Sequence, residues 1–259
     1  MVKRFWVGLF MMLQGTAALA AVHGERVLYR QGDVVLEGYI SYDDATDVKR
    51  PGVIVVHEWK GLGDYAKRRA DQLAALGYAA FAADMYGEGV RPQTHEEAGQ
   101  QAGIYKNDRM LMRARVRAAL DLLKEHPIVD ASKMAAIGYC FGGTTVLELA
   151  RSGADVKGVV SFHGDLSTPN PADAKNIKGK VLIAHGGDDK FTLSGVDAFK
   201  KEMKDANIDM RFNSYPGAVH SFTVKEAGSE PATGIAYHEE ADIKSWDSMK
   251  AFFKEIFAP

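Results

Sequence analysis

The feature that most restricts this chain is a six-residue turn, Gly138-Tyr139-Cys140-Phe141-Gly142-Gly143. It joins an apolar run at residues 134–138 to a helical pattern at 142–150. The run is apolar at consecutive positions, as in a strand buried on both faces. A strand that becomes a helix this abruptly holds its middle residue in a strained backbone conformation. Side chains two positions before and after that residue would collide, so glycine is needed at 138 and 142. The turn lifts residue 140 above the sheet edge. It also points the next N–H and the positive end of the helix at the space in front of it.

The same strand-then-helix alternation runs through residues 21–259, and no repeat, low-complexity linker or composition shift divides them. Residues 27–30 and 34–40 read as an antiparallel pair turning at Gly32-Asp33. Further strand-like runs lie at 53–56, 78–83, 134–138, 156–162, 181–184 and 210–215. Helical periodicity spans 64–76 (stopped by Gly77), 109–125 (stopped by Pro127), 142–150, 194–205 and 239–257. Over 109–125 the apolar stripe is Met112, Val116, Leu120 and Leu123. This order predicts one α/β domain, a mostly parallel central sheet with helices on both faces. In such sheets ligands bind beyond the carboxyl ends of the strands, where the 138–143 turn falls.

The first twenty residues are a different kind of sequence. Lys3 and Arg4 precede an apolar stretch from Phe5 to Leu13, and small residues follow up to Ala18-Leu19-Ala20. That order predicts a secretory signal peptide over 1–20, a mature domain over 21–259 and a periplasmic location. The apolar stretch falls short of the ~20 residues a spanning helix needs, so no stable membrane insertion is expected after cleavage. A net charge of −2, with acids and bases interspersed, carries no pull toward nucleic acid. Export gives weight to the cysteine count, because exported proteins commonly use cysteines in pairs. Cys140 is the only one. It is an inert buried residue, an intermolecular link or a thiol kept for its chemistry, and its setting between glycines favours the last.

A free thiol titrates near pH ~8.5 and is only a few per cent thiolate at pH 7, so a nucleophilic Cys140 needs a base. Two later strand ends supply partners. The run 181–184 leads into His185-Gly186-Gly187-Asp188-Asp189, and the run 210–215 into Pro216-Gly217-Ala218-Val219-His220-Ser221-Phe222. Cys140, Asp189 and His220 follow the chain order nucleophile, acid, histidine that accompanies a strand-to-helix nucleophile turn. Counting glycine, two residues, acid from Gly186 selects Asp189 and leaves Asp188 as a turn former. The backbone N–H of Phe141, at the helix start, is suited to hold an oxyanion.

His57, His163 and His185 also end predicted strands. Lacking H-x-H or HExxH spacing, they read as residues bonded to loop backbones rather than as a metal site. His23, His95, His126 and His238 read as surface residues. No P-loop or dinucleotide fingerprint is present, and no cofactor is expected.

Six segments together resemble the dienelactone hydrolase family of α/β-hydrolases: VVHEWKGLGDY (55–65), AADMYGEG (82–89), AAIGYCFGG (135–143), VVSFHGDL (159–166), AHGGDD (184–189) and PGAVHSF (216–222). The resemblance runs from about Glu25 to the C-terminus. It implies the α/β-hydrolase fold and a Cys-His-Asp triad falling on Cys140, His220 and Asp189. It implies that Glu58 holds the resting thiol and swings aside when substrate arrives. It also implies that the N–H of Trp59 joins that of Phe141 as an oxyanion donor.

Members that cleave dienelactone grip the substrate carboxylate with arginines after the tyrosine matched by Tyr86 and after the histidine. Here Glu88 and Val224 stand at those places, and neither clamps a carboxylate. Arg91 is the nearest substitute for the first.

The implied function is hydrolysis of a small-molecule carboxylic ester or lactone through an acyl-enzyme. Thioesterase or acyl-transferase chemistry on the same triad is the nearest alternative. A non-catalytic ligand-binding or thiol-sensing role is more distant, since a sensor usually keeps a resolving cysteine.

Overall fold

The computed structural model describes residues 22–45 and 48–258; the segment read as a signal peptide, 1–20, lies outside them. Val22–Gln31 (β1) and Val34–Asp43 (β2) form the expected hairpin, paired from Gln31↔Val34 out to Val22↔Asp43. Gly32 turns it at a φ of +57°, the left-handed geometry that a two-residue turn requires.

Six more strands follow: Arg50–Val56 (β3), Ala79–Ala83 (β4), Val129–Tyr139 (β5), Gly158–Phe162 (β6), Lys180–Gly186 (β7) and Met210–Tyr215 (β8). The sheet order is β1-β2-β4-β3-β5-β6-β7-β8. Its β1/β2 and β2/β4 joints are antiparallel and the others parallel. The fold is that of an α/β-hydrolase.

The helices are Asp64–Ala74 (α1), His95–Asn107 (α2), Arg109–Glu125 (α3), Phe141–Arg151 (α4), Val196–Asp205 (α5) and Glu239–Ile256 (α6). They cover both faces of the sheet, which is why the central strands are apolar at consecutive positions. In β3, Ile54 and Val56 enter a cluster with Met112, Val116 and Leu120 of α3 and Val146 and Leu147 of α4. Val53 and Val55 point the other way, to Leu73 of α1 and Met249 and Phe252 of α6. On the α3/α4/α5 side an ion network is buried. Arg151 binds both oxygens of Glu202 (2.8 and 2.9 Å) and also Glu148 (3.1 Å), which in turn meets Arg113 at 2.7 Å.

Two elements depart from the sequence reading. Helix α2 carries no strong apolar stripe: it buries only Ala98, Ala102 and Tyr105. Strand β5 begins at Val129, ahead of its apolar run. Its pairing with β3 skips from Pro51↔Asp130 to Gly52↔Met134, so the polar residues between lie in an irregular stretch of the ladder. No described helix is long and apolar enough to cross a membrane.

Candidate active site

The carboxyl ends of β3, β5, β7 and β8 converge, as a parallel sheet dictates. At the end of β5, Tyr139 is still strand and Phe141 already helix, so Cys140 alone makes the turn, at φ +52° and ψ −113°. The neighbouring glycines are demanded by space. A Cβ on Gly138 would stand 2.0 Å from the carbonyl oxygen of Gly142. One on Gly142 would stand 2.2 Å from the carbonyl oxygen of Val56 in β3. The elbow therefore packs backbone on backbone, and the strain at Cys140 is held from both sides.

Cys140, His220 and Asp189 come together in the order the sequence suggested. The Sγ of Cys140 lies 3.1 Å from Nε2 of His220, and Nδ1 of His220 lies 2.8 Å from Oδ2 of Asp189. Asp189 is buried, and its other oxygen accepts the N–H of Phe191 at 3.0 Å; Asp188 is exposed. His220 is fixed through its backbone, donating to Gly234 O and accepting from Ala236 N, both at 3.1 Å.

Burial works against an imidazolium here. Its interactions with Cys140 and Asp189 outweigh burial and push His220 up to about 10. Burial likewise works against the Asp189 carboxylate, but its bond and charge pairing with His220 hold it below the ordinary range.

Beyond β3, Glu58 is bonded to Ser221, whose hydroxyl donates to Oε1 at 3.1 Å. Burial raises the Glu58 carboxyl, with His220 and Ser221 opposing. In this arrangement the sulfur meets the histidine and the glutamate meets Ser221, itself held at φ +58°. Trp59 follows, its carbonyl fixed by the hydroxyl of the buried Tyr86 at 2.9 Å. Tyr86 packs in turn on Phe141 (5.4 Å between centroids), so the two segments carrying the Trp59 and Phe141 N–H groups share one aromatic support.

Arg91 and the two positions where arginines are expected, 88 and 224, offer no free cation to a substrate carboxylate. Arg91 donates to the carbonyls of Leu62, Gly87 and Val90 and lies 3.8 Å from Asp84. It is a loop brace and does not stand in for a missing arginine. Glu88 pairs with Arg26, and Val224 is buried.

One neighbour bonds turn backbone as read, but at the nucleophile itself. His163, read as a loop-bonding residue, is fully buried at φ +40°. Its Nδ1 accepts the N–H of Cys140 at 3.2 Å, so Nε2 carries the proton and donates to Thr223 Oγ1 at 2.8 Å. Its ring meets that of His220 edge-on, 5.3 Å between centroids. Burial first, and then the charge of His220, hold it well below the usual histidine range. The only available signal was its position at a strand end.

His57 bonds the loop backbone as expected, accepting from Met85 N at 3.2 Å; His185 departs from that reading, buried beside the ring of Phe212 with no hydrogen bond from either ring nitrogen among the described residues. His238 caps α6, and His95 lies against Trp59.

A model of the dienelactone hydrolase family matches residues 36–257. Protein usf of Aquifex pyrophilus is 30% identical over 239 residues, covering 90% of this chain and 98% of that protein. Two solved structures are each 40% identical, covering 92% of this chain and all of theirs. One, described as m3DLH, superimposes with a TM-score of 0.89. The other, a dienelactone hydrolase-like promiscuous phosphotriesterase from metagenomic libraries, does so with 0.85.

Proposed function

Because the chain belongs to the dienelactone hydrolase family, whose model spans residues 36–257, we propose that it cleaves esters or lactones with Cys140 as nucleophile, His220 as proton carrier and Asp189 as its orienting acid. The observation that carries this is the unbroken line from Sγ to Nε2 (3.1 Å) and from Nδ1 to Asp189 (2.8 Å). His220 holds the thiol proton as imidazolium, and the sulfur attacks the carbonyl carbon. The N–H groups of Trp59 and Phe141 receive the developing oxyanion. His220 returns its proton to the leaving alcohol oxygen, which in a lactone remains part of the acyl chain. Water, deprotonated by His220, then releases the acid and regenerates the thiol.

Glu58, held by Ser221 at 3.1 Å, is the carboxylate available to the sulfur when it turns away from His220. With Arg91 committed to loop carbonyls and no arginine at 88 or 224, the favoured substrates are uncharged near the scissile bond. The same reading includes export through residues 1–20, after which the mature chain begins at Ala21.

The test is turnover of an ester, lactone and thioester panel, with a neutral phosphotriester added because of the related phosphotriesterase. Cys140→Ala is expected to lose at least about 10³-fold in kcat/KM, and mass spectrometry of quenched wild type to show one acyl group on Cys140. Equal turnover by the variant would sink the assignment. The intact mass of protein recovered from a periplasmic fraction checks the cleavage site.

A further inference from the structure

The scheme above gives no task to Phe191, two residues after Asp189 on the loop between β7 and α5. Its side chain is oddly placed for an apolar group: Phe191 is 61% exposed, and Leu193 on the same loop is 52% exposed. The ring stands edge-on against His220, with centroids 5.7 Å apart and planes at 79°. Its location is tied to the triad twice. The Phe191 N–H donates to Asp189, and the ring lies over Gly234, whose carbonyl holds the backbone of His220. A Cβ on Gly234 would come within 3.2 Å of that ring, so the glycine leaves room for it.

The reaction's geometry decides which part of a substrate meets this face. The carbonyl oxygen faces the N–H groups of Trp59 and Phe141, and the leaving oxygen must reach His220 to collect a proton. One flank of the His220 ring is closed by buried His163, while Phe191 forms a flank open to solvent. A leaving alcohol that reaches the imidazole therefore has the Phe191 ring as an apolar wall at hand. Burying that ring's exposed area on binding is favourable, and two aromatic rings meeting there gain further from offset or edge-to-face packing.

We propose that Phe191, flanked by Leu193, forms a leaving-group subsite that selects esters of uncharged apolar alcohols, aromatic ones above all. The inference rests on the cysteine–histidine assignment above and extends it from the bond cleaved to the substrate class.

The experiment compares acetate esters that share an acyl group and differ only in the alcohol, methyl against phenyl and benzyl. Phe191→Ala is expected to lower the phenyl-to-methyl and benzyl-to-methyl ratios of kcat/KM about tenfold, as follows from removing roughly 50 Å² of apolar contact. Phe191→Tyr, which keeps the ring, is expected to retain them. Lengthening the acyl group instead, phenyl acetate against phenyl butyrate, is expected to give the same ratio in wild type and Phe191→Ala.

Alcohol ratios unchanged by Phe191→Ala, or a change in acyl preference alone, would overturn the subsite. Lys190, exposed between Asp189 and Phe191, is the cation nearest in sequence to this wall, and a preference for a carboxylate-bearing alcohol that Lys190→Ala abolishes would overturn the subsite too.

A binding arm needs no turnover. Ligand-observed saturation-transfer NMR with benzyl alcohol is expected to give contact in wild type and in Cys140→Ala, and to lose it in Phe191→Ala. No contact in wild type overturns the subsite even if ester turnover is normal. Contact present without Cys140-dependent turnover supports the subsite and sinks the nucleophile.

Discussion

At the scale of single residues, His220 is placed between opposed influences, and the outcome is measurable. Desolvation disfavours its charge, yet Cys140 and Asp189 prevail and carry it to about 10. Imidazolium is the form that protonates the leaving group, so losing its proton lowers the rate. The kcat/KM of a non-ionising ester, corrected for spontaneous hydrolysis, is therefore expected to hold through pH 9 and decline near 10. Asp189→Asn removes one contribution that raises His220, so its alkaline limb should move to lower pH, with a rate loss of roughly 10² or more. A wild-type alkaline limb at pH 6–7 would contradict this account.

His163 makes a second residue-scale case. Asparagine tolerates the φ of +40° and keeps an acceptor near the Cys140 N–H, but it cannot reach Thr223 or present a ring to His220. His163→Asn is expected to lower kcat about 10- to 100-fold with KM changed less. Cys140→Ala and Cys140→Ala/His163→Asn should then be equally inactive, as expected of a residue that acts through the nucleophile and its base.

Elements carry the nucleophile turn, and here the sequence spoke most clearly. Gly138 and Gly142 are needed for the space their missing side chains leave, which the tight strand-to-helix spacing already demanded. Gly142→Ala would drive a Cβ into the carbonyl of Val56 and is expected to cost about 4 kcal/mol or more, read as loss of the cooperative urea transition or of soluble protein. Gly77→Ala is the contrast. Nothing lies within 4 Å of its Cβ, and only the φ of +90° opposes it, so about 1 kcal/mol is expected.

The hairpin, the buried strands and five of the helices were legible because each has either a period or a punctuating glycine or proline. Helix α2 was not. Its apolar face is two alanines and a tyrosine, and Gly99 and Gly103 interrupt it. A signal was nonetheless present: Thr94 and Glu97 form a capping box that satisfies the first N–H groups of the helix. The order Cys140, Asp189, His220 was readable because each follows a strand end. His163, Ser221 and Phe191 matter through what lies across the sheet edge from them, and no spacing along the chain encodes that.

For the molecule as a whole, the same sheet edge that gathers the chemistry also gathers neutral imidazoles, and these set how the protein meets acid. His57 is lowered to about 4, His163 well below the usual value, and His185 below it, as is His126 at the end of α3, with burial the leading cause in each. As pH falls below 6.5 the unfolded chain protonates all four before the folded chain does, so stability falls with pH. His220, raised to about 10, contributes stability fully present below pH 6.5 and lost only as pH rises through 10, so it adds no slope there. Asp189, lowered, loses its contribution only under stronger acid, below its unfolded value. Glu58 opposes the histidines: its raised carboxyl takes a proton in the fold first, which favours the folded state as pH drops through its folded value. Four imidazoles against one carboxyl leaves a net loss. The urea midpoint is therefore expected to fall between pH 6.5 and 4.5, by an amount equivalent to a few kcal/mol. Glu58→Gln removes the opposing group and should steepen the fall. His57→Gln, whose amide can still accept from the Met85 N–H, should flatten it even where its midpoint at pH 7 is lower. A midpoint independent of pH over this range, in wild type and both variants, would mean that the buried histidines do not govern acid unfolding.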